Sequence, residues 1–354
     1  MNESRIRMQL QCPMPKLDFD VITLGHGSGG LLTHQLLDSG VFDLLRNDLL
    51  DTRHDGAVFS LPADSLTAFS TDSYVVSPIF FPGGSIGELA INGTVNDLAM
   101  CGAEARYLSL AFILEEGLPM QDFWDVLVST REAAAAAGVW VVTGDTKVVE
   151  RGKGDQMFIN TTGIGTVHPR AAISQRRVQA GDQILVSGPL ATHGVAIMSV
   201  REGLTFETTL ESDTRSLKQA VRTLLDAHGD QVHLLRDPTR GGVATTLNEI
   251  ARDTRLGITL SQAHIPVREA VQSACELLGL DPLYVANEGI FLAIVAPEAA
   301  DAALATLRSL PSGEDAACIG AVTTEHPGKV ILKSHIGGKR VVNMLAGEQL
   351  PRIC

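Results

Sequence analysis

The fold of this chain is decided by residues 85–114, which read SIGELAINGTVNDLAMCGAEARYLSLAFIL. Ser85 followed three residues later by Glu88 is a capping-box pattern, which is typical of a helix N-terminus. The spacing predicts a helix that runs to about Gly102, and residues 106–114 read as a strand. This stretch therefore predicts a helix that leads directly into a strand.

The same alternation continues on both sides of this stretch. Residues 66–74 read as a strand, residues 119–137 place apolar side chains at helical spacing, and residues 139–143 read as another strand. In the second half, residues 183–187 are a predicted strand and residues 242–255 a predicted helix. The pattern predicts a mixed fold of the α+β class, an α/β two-domain arrangement.

The length of 354 residues predicts two domains, at roughly 100 to 200 residues per domain. Turn-forming residues from 163 to 175, and a polar run to about Gly181, indicate a boundary near residues 170–180. Residues after 336 show little periodicity, which is typical of a mobile tail. The expected segments are an N-terminal extension over 1–21, an N-terminal domain over 22–170, a C-terminal domain over 171–336 and a tail over 337–354.

Charge and composition narrow the class of protein. The net charge of −13 would repel a phosphate backbone, which argues against a nucleic-acid partner. The longest apolar stretch, residues 133–142, is shorter than the roughly 20 residues of a membrane-spanning helix, and residues 1–16 hold no apolar core of a secretion signal. Five scattered cysteines without a CxxC pair argue against a disulfide framework. We therefore expect a cytoplasmic protein that binds no membrane.

Several aspartates are placed where they could bind a metal. Asp72, Asp145 and Asp237 follow apolar runs, and Asp97 lies on a predicted helix beside Asn96. Loops at strand ends are where α/β sheets bind ligands, and converging carboxylates bind Mg²⁺, which bridges to substrate phosphates. Taken singly, each aspartate fits a turn or a helix N-cap better, so only the group points to a metal.

Glycine runs and two isolated charged residues are further candidates for a ligand-binding or catalytic site. Residues 25–30 and the pair Gly241-Gly242 would let the backbone approach an anionic ligand closely. Neither run matches the P-loop motif, and the alternative interpretation of each is a flexible loop without a ligand. Lys147 and Glu288 lie among apolar runs. Desolvation there could shift the pKa of a catalytic base or strengthen the stabilisation of developing negative charge. A structural ion pair or a solvent-facing loop explains them as well.

The last residue, Cys354, follows Pro351-Arg352-Ile353. A terminal thiol on a polar tail can swing and, as a thiolate, can act as a nucleophile that carries an activated group between sites. The alternative is a terminal residue without a function, because chain ends usually tolerate change.

Seven motifs occur in order along the chain. They are HGSGG (26–30), FSTDSY (69–74), NDLA (96–99), GDTKVV (144–149), RDPTRGG (236–242), ANEG (286–289) and PRIC (351–354). Together they closely resemble the HypE family of hydrogenase maturation factors. The aspartate motifs are shared across its PurM-like superfamily, which includes aminoimidazole ribonucleotide synthetase, thiamine monophosphate kinase and selenophosphate synthetase, whereas the terminal PRIC is specific to this family.

The resemblance implies ATP-dependent dehydration of a carbamoyl group carried on Cys354. In that family the carbamoyltransferase HypF loads the cysteine as a thiocarboxamide, the maturation factor converts it to a thiocyanate, and the cyanide passes to iron held by the HypC–HypD complex. The resemblance also implies a homodimer in which the N-terminal sheets pair, a C-terminal α/β sandwich, and ATP with Mg²⁺ beside the N-terminal sheet.

The same resemblance implies roles for individual residues. The metal and phosphate ligands would be Asp55, Asp72, Asp97, Asp145 and Asp237. ATP would be bound by Gly27, Ser28, Gly29, Gly30, Asn96, Gly241 and Gly242, together with Asp55, Asp72, Asp97 and Asp145. Lys147 would stabilise charge on the activated oxygen, Glu288 would be the base or its relay, and Cys354 would carry the reacting group.

Two other functions stay open. One is another ATP-dependent enzyme of the superfamily that acts on a small free substrate, for which Cys354 would have no role. The other is a non-catalytic carrier that presents its tail to a partner, but a carrier has no need of Mg²⁺ ligands. The extension over residues 1–21, with Cys12, is longer than the family usually has, and no function is assigned to it.

Overall fold

The computed structural model describes residues 19–53, 56–203, 210–344 and 352–353, and at Ser39 the backbone alone. Helices and sheets are mixed in both halves of the chain, as the sequence predicts. Among the residues so described, no helix combines the length and apolar character that a membrane crossing needs.

The N-terminal half is built on one four-stranded sheet. Its elements are α1 (Leu31–Leu36), a π-helical turn (Leu37–Val41), α2 (Phe42–Leu44), β1 (Thr67–Tyr74), β2 (Phe80–Phe81), β3 (Gly84–Ser85), α3 (Ile86–Met100), β4 (Ala103–Glu115), α4 (Met120–Ala137), β5 (Trp140–Val149) and β6 (Met157–Val167). The sheet has the order β1-β6-β4-β5, in which β4 and β5 run parallel and the other pairs antiparallel. Helix α3 lies on the sheet, and α4 packs on α3.

Helix α3 begins where the sequence predicts. Ser85 Oγ accepts hydrogen bonds from the backbone N–H groups of Gly87 at 3.2 Å and Glu88 at 3.4 Å. At Gly87 the helix approaches α4 so closely that an added Cβ would lie 2.4 Å from Thr130 Oγ1 and 2.5 Å from the Val126 carbonyl oxygen. Glycine is therefore required where the two helices meet.

Strand β6, at the centre of this sheet, is not predicted from the sequence. The pattern interprets Gly163 and Gly165 as turn residues, whereas both lie inside β6. An added Cβ at Gly163 would lie 2.8 Å from side-chain carbons of Leu98 and Thr94 on α3. The packing of α3 on the sheet, rather than a turn, therefore explains glycine at this position.

The C-terminal half is built on a seven-stranded sheet. Its elements are β7 (Gln183–Val186), α5 (Thr192–Arg201), α6 (Lys218–His228), β8 (Val232–Arg236), α7 (Gly242–Thr254), β9 (Gly257–Ser261), α8 (Glu269–Leu278), β10 (Leu292–Val295), α9 (Ala300–Arg308), β11 (Ala317–Thr323), β12 (Val330–Lys333) and β13 (Lys339–Val342). The order is β13-β12-β9-β11-β7-β10-β8, in which β9 and β12 run parallel and the other pairs antiparallel.

Helices cover both faces of this second sheet. On β7, Ile184 and Val186 belong to an apolar cluster with residues of α7 and α8, whereas Leu185 belongs to a cluster with residues of α6 and α9. The latter cluster also contains Ala99 and Met100 from the end of α3. The two halves of the molecule therefore share an apolar contact.

The second sheet extends past the predicted start of the tail at residue 337. Strand β13 pairs with β12, with Val342 opposite Val330. Of its four residues only Val342 is buried, so this edge strand lacks the apolar pattern by which a strand is recognised in a sequence. Residues 345–351 and 354 lie outside the described part of the chain.

We expect Gly87→Ala to lower the free energy of unfolding by about 1–3 kcal/mol, because its methyl group would push α3 away from α4. Urea unfolding followed by circular dichroism measures this change. Gly56→Ala is the control, since a Cβ there meets nothing within 4 Å, and it should change stability by less than about 0.5 kcal/mol. Equal effects of the two substitutions would contradict the close α3–α4 contact.

Candidate functional site

A cavity of about 140 Å³ opens between residues 25–30, which we call the glycine-rich loop, and the β5 edge of the N-terminal sheet. Its lining is largely apolar and includes Leu37, Phe42 and Leu110, but it also includes Asp145 and Lys147. An apolar space with a few charged groups suits a ligand that combines a flat apolar ring with an ionic part.

The glycine-rich loop lies against β5. An added Cβ at Gly27 would lie 2.3 Å from the backbone nitrogen of Val148, so this approach requires glycine. Gly27 and Gly29 line the cavity, and their neighbours Ser28 and Gly30 are exposed. The structure therefore places these four predicted ligand-binding residues at the cavity or next to it.

Asp145 and Lys147 lie two residues apart on β5, on the same face of the strand. Lys147 Nζ donates a hydrogen bond of 2.8 Å to Asp145 Oδ1. This bond is the main reason that the pKa of the Asp145 carboxyl is lowered. Both side chains are more than half exposed, at 63% and 62%, so the pair is open to a ligand that enters from solvent.

A second group of carboxylates lies where the two halves meet, and we call Asp72, Asp97 and Asp237 the junction aspartates. The pKa of Asp97 is raised to about 7, mainly by burial and further by the negative charges of Asp237 and Asp72. A hydrogen bond of 2.8 Å from Ser70 Oγ acts in the opposite direction. Burial also raises the pKa of Asp237. Such carboxylates would gain from a cation placed between them.

The predicted set of five aspartates does not converge within one chain. Asp72 lies on β1 and Asp145 on β5, the two edges of the sheet, and three strand spacings of about 4.8 Å put them roughly 14 Å apart. In the part of the chain that the structure describes, no three His, Cys, Asp or Glu side chains are arranged to hold a metal ion by themselves. Asp55 lies outside the described residues.

Glu288 is buried, with 5% of its surface exposed, in the loop before β10. The carboxylate of Asp213 accepts hydrogen bonds from the backbone N–H groups of Glu288 at 3.2 Å and Gly289 at 3.1 Å. The side chain of Asn287 donates to the carbonyl of Pro238, the residue after a junction aspartate, at 2.9 Å. Glu288 therefore lies on a fixed backbone beside the junction, and sequence reasoning misses Asp213, which holds it there.

Three other predicted ligand residues make contacts that are structural. Asn96 Oδ1 accepts from the N–H of Leu217 at 2.7 Å and its Nδ2 donates to the carbonyl of Arg215 at 3.0 Å, which ties α3 to the C-terminal half. Gly241 and Gly242, with φ of 75° and 62°, begin α7 in a conformation that favours glycine. These observations give each residue type a structural reason, and the binding of ATP by these residues stays a prediction.

Cys354 lies outside the described residues, but the residue before it reaches the domain junction. Ile353 is 2% exposed and packs in the apolar core of the N-terminal half. Its carbonyl oxygen accepts a hydrogen bond of 2.7 Å from His193 Nε2, on α5 of the C-terminal half. The end of the chain is therefore held between the two halves.

In protein free of nucleotide and divalent metal, we expect Asp97→Asn to raise the thermal midpoint more at pH 8 than at pH 5. The folded-state pKa of Asp97, about 7, lies above its ordinary value of 3.8. The native state therefore binds an extra proton between these values, so stability falls as the pH rises from 3.8 to about 7 and the full loss is present at pH 8. Asparagine has no titrating group, so Asp97→Asn removes this loss of stability.

The control for this prediction is Asp145→Asn, measured by the same thermal scans. The pKa of Asp145 is lowered rather than raised, so this substitution should give no gain at pH 8. Equal gains in the two variants would contradict a buried, proton-binding Asp97.

Two family models match the chain. The N-terminal domain of AIR synthase related protein matches residues 53–167, and the C-terminal domain of AIR synthase related protein matches residues 179–333. The matched segments correspond to the two halves of the fold.

Relatives and solved structures resemble the chain over almost its full length. Carbamoyl dehydratase HypE of Azotobacter vinelandii is 50% identical over 333 residues, which are 94% of this chain and 97% of that protein. A crystal structure of hydrogenase maturation protein HypE in complex with ATP has a TM-score of 0.90 and 49% identity, covering 94% of this chain and 99% of that one. A HypE–HypF complex matches with a TM-score of 0.77 and 41% identity, covering 89% and 100%. The predicted family and PurM-like fold are therefore confirmed, and the chain belongs to the HypE family of carbamoyl dehydratases.

Proposed function

We propose that this protein catalyses the ATP-dependent dehydration of a carbamoyl group on Cys354 to a thiocyanate, which supplies cyanide for the iron of a [NiFe] hydrogenase. The observation that carries this proposal is the position of Ile353. It is buried, and its carbonyl bonds to His193 on α5, the helix whose Gly194 contacts the loop that carries Glu288. The family of the chain supports the same reaction, since its relatives are carbamoyl dehydratases.

The reaction removes an oxygen atom from an amide carbon. Because this oxygen is a poor leaving group, it first bonds to a phosphorus atom of ATP, which breaks a P–O bond of the phosphate chain and releases the rest of the nucleotide. The C–O bond then breaks with phosphate as the leaving group. Two protons leave the amide nitrogen, a C≡N triple bond forms, and the S–C bond is kept. Lys147 stabilises negative charge on the activated oxygen, and Glu288 is the base or its relay.

ATP binds, in this proposal, in the cavity between the glycine-rich loop and β5. Gly27 and Gly29 line this cavity, where the backbone can approach the phosphates closely, and Asp145 lies beside them, where it could hold a phosphate-bound cation. The ATP complex of a relative that is 49% identical supports ATP as the ligand of this protein.

The junction aspartates would hold Mg²⁺. This ion takes oxygen ligands and usually binds through one or two carboxylates plus substrate phosphates, so it needs no complete protein cage. The raised pKa values of Asp97 and Asp237 support this fit, because a cation would offset the repulsion between their buried charges. When bound, Mg²⁺ neutralises charge on the phosphates.

A homodimer is proposed because Lys147 on β5 and Asp72 on β1, one of the junction aspartates, lie at opposite edges of one sheet. Pairing of two N-terminal sheets would bring one chain's β5 edge to the other chain's β1 edge. Phe69, Ile164, Tyr107 and Trp140 lie opposite one another across the four strands and so share the face that α3 leaves uncovered. Phe69 is 67% exposed and Trp140 51%, which gives this face an apolar surface for association.

The partners are the ones that the reaction requires. HypF loads Cys354, and the relative solved as a HypE–HypF complex supports this contact. The HypC–HypD complex receives the cyanide on its iron. Because the reaction consumes ATP, the proposed location is the cytoplasm.

Intact-protein mass spectrometry tests the reaction. After incubation with HypF and carbamoyl phosphate, we expect the mass of the protein to rise by one carbamoyl group. After ATP and Mg²⁺ are added in a second step, we expect the mass to fall by one water. Cys354→Ala should show neither change. An unmodified Cys354 in the presence of active HypF would instead favour an enzyme that acts on a small free substrate.

We expect Lys147→Ala and Glu288→Gln to slow the loss of water by about 10²- to 10⁴-fold, the usual range for losing an acid–base group. Carbamoyl loading and ATP binding, measured by mass and by calorimetry, should persist. Lys153→Ala is a matched control, since Lys153 is an exposed lysine in the turn between β5 and β6. Unchanged turnover in either variant would remove the corresponding role.

A further inference from the structure

The last two described residues are held by their backbone carbonyls. The carbonyl of Arg352 accepts from the N–H of Ser77 at 3.2 Å and from the guanidinium of Arg201. The carbonyl of Ile353 accepts from His193 Nε2 at 2.7 Å. Because these bonds go to backbone atoms, they fix the path of the chain end and not only its side chains.

These contacts come from both halves of the molecule. Ser77 precedes β2 in the N-terminal half, and Asp155, in the turn between β5 and β6, forms an ion pair with the Arg352 guanidinium. His193 and Arg201 lie at the two ends of α5 in the C-terminal half. Arg201 Nε also donates to the carbonyl of Ser77 at 2.5 Å, so the docking site itself is tied together.

A chain of hydrogen bonds selects one tautomer of His193. The N–H of Thr214 donates to Ser212 Oγ at 3.1 Å, and Ser212 Oγ lies 2.7 Å from His193 Nδ1. A carbonyl oxygen can only accept, so the bond to Ile353 requires the proton on Nε2, and the Ser212 hydroxyl then donates to Nδ1. The edge-to-face contact with Phe81, with ring centroids 5.6 Å apart, holds the ring in this orientation.

His193 also adjoins the loop that carries Glu288. The next residue, Gly194, donates from its N–H to the carbonyl of Ala286 at 3.1 Å, two residues before Glu288. An added Cβ at Gly194 would lie 2.4 Å from Val285, so α5 and this loop are in close contact. A chain end anchored on His193 is therefore anchored beside Glu288.

We infer that His193, oriented by Ser212, is a positioning residue that holds the Ile353 carbonyl so that the group on Cys354 meets Glu288. This inference rests on the proposed dehydration of a carbamoyl group on Cys354. His193 touches neither the reacting atoms nor ATP in this role. It acts through the backbone of the residue before the carrier cysteine, where a small displacement costs much of the rate.

Three variants separate positioning from simple folding. His193→Leu removes the donor, whereas His193→Gln keeps an N–H donor close to the place of Nε2. Ser212→Ala leaves the imidazole but removes the hydroxyl that bonds to Nδ1 and orients the ring. His228→Leu is the matched control, because His228 also makes a side-chain hydrogen bond, of 2.9 Å to Thr306 Oγ1, but at the end of α6, outside the docking site.

The first measurement uses protein that is already carbamoylated on Cys354. ATP and Mg²⁺ are added, and the single-turnover loss of water is monitored by intact-protein mass spectrometry. We expect His193→Leu to be slower by tenfold or more, Ser212→Ala to be slowed less, and His193→Gln to recover most of the rate. Carbamoyl loading and ATP affinity should equal those of the wild type. Wild-type rates in His193→Leu, or equal slowing in His193→Leu and His193→Gln, would overturn the inference.

The second measurement does not depend on the dehydration. In unmodified protein with ATP and Mg²⁺, alkylation of Cys354 by iodoacetamide, located by mass in the C-terminal peptide, should be faster in His193→Leu than in wild type, His193→Gln or His228→Leu. If the wild type never loses water, the proposed function fails, while this alkylation pattern still supports the anchor. If alkylation rates are equal in all four proteins, the anchor fails, whatever the wild type does with ATP.

Discussion

The burial of helix α3 on every side is the constraint on which the rest of the structure depends. The helix packs on the N-terminal sheet, on α4 at Gly87, and on the C-terminal half through Ala99 and Met100. Asn96 adds hydrogen bonds to that half. Because α3 also carries Asp97, its position sets the distance between this carboxyl and the residues that the C-terminal half contributes to the junction.

The two groups of charged residues differ in the environment that the fold gives them. The Asp145–Lys147 pair is exposed at the edge of the sheet, where a diffusing nucleotide can reach it and where the local ion pair lowers the pKa of the aspartate. Asp97 and Asp237 are desolvated, and burial together with the negative charges of Asp237 and Asp72 raises the pKa of Asp97 to about 7. A cation would offset the repulsion between the buried carboxylates, whereas Lys147 already neutralises the exposed Asp145.

Much of the fold could be predicted from local patterns, and the failures have physical reasons. Ser85 caps α3 as expected, because a cap is formed by residues within one helical turn. Strand β6 is missed because Gly163 is needed for contact with α3, which no local pattern records. Asp213 and His193 are missed as well, since their partners at Gly289 and Ile353 lie 76 and 160 residues away in the sequence.

The sequence by itself determined the family, the α+β class and the identity of the charged residues, because motifs and periodicity are properties of neighbouring residues. Only the tertiary structure decided how those residues are grouped. It placed Asp72 and Asp145 at opposite edges of a sheet, tied Asn96 to the other half of the molecule, and brought Ile353 to His193. Distances of this kind arise from strand order and from packing between the two halves, which depend on contacts between residues far apart in the chain.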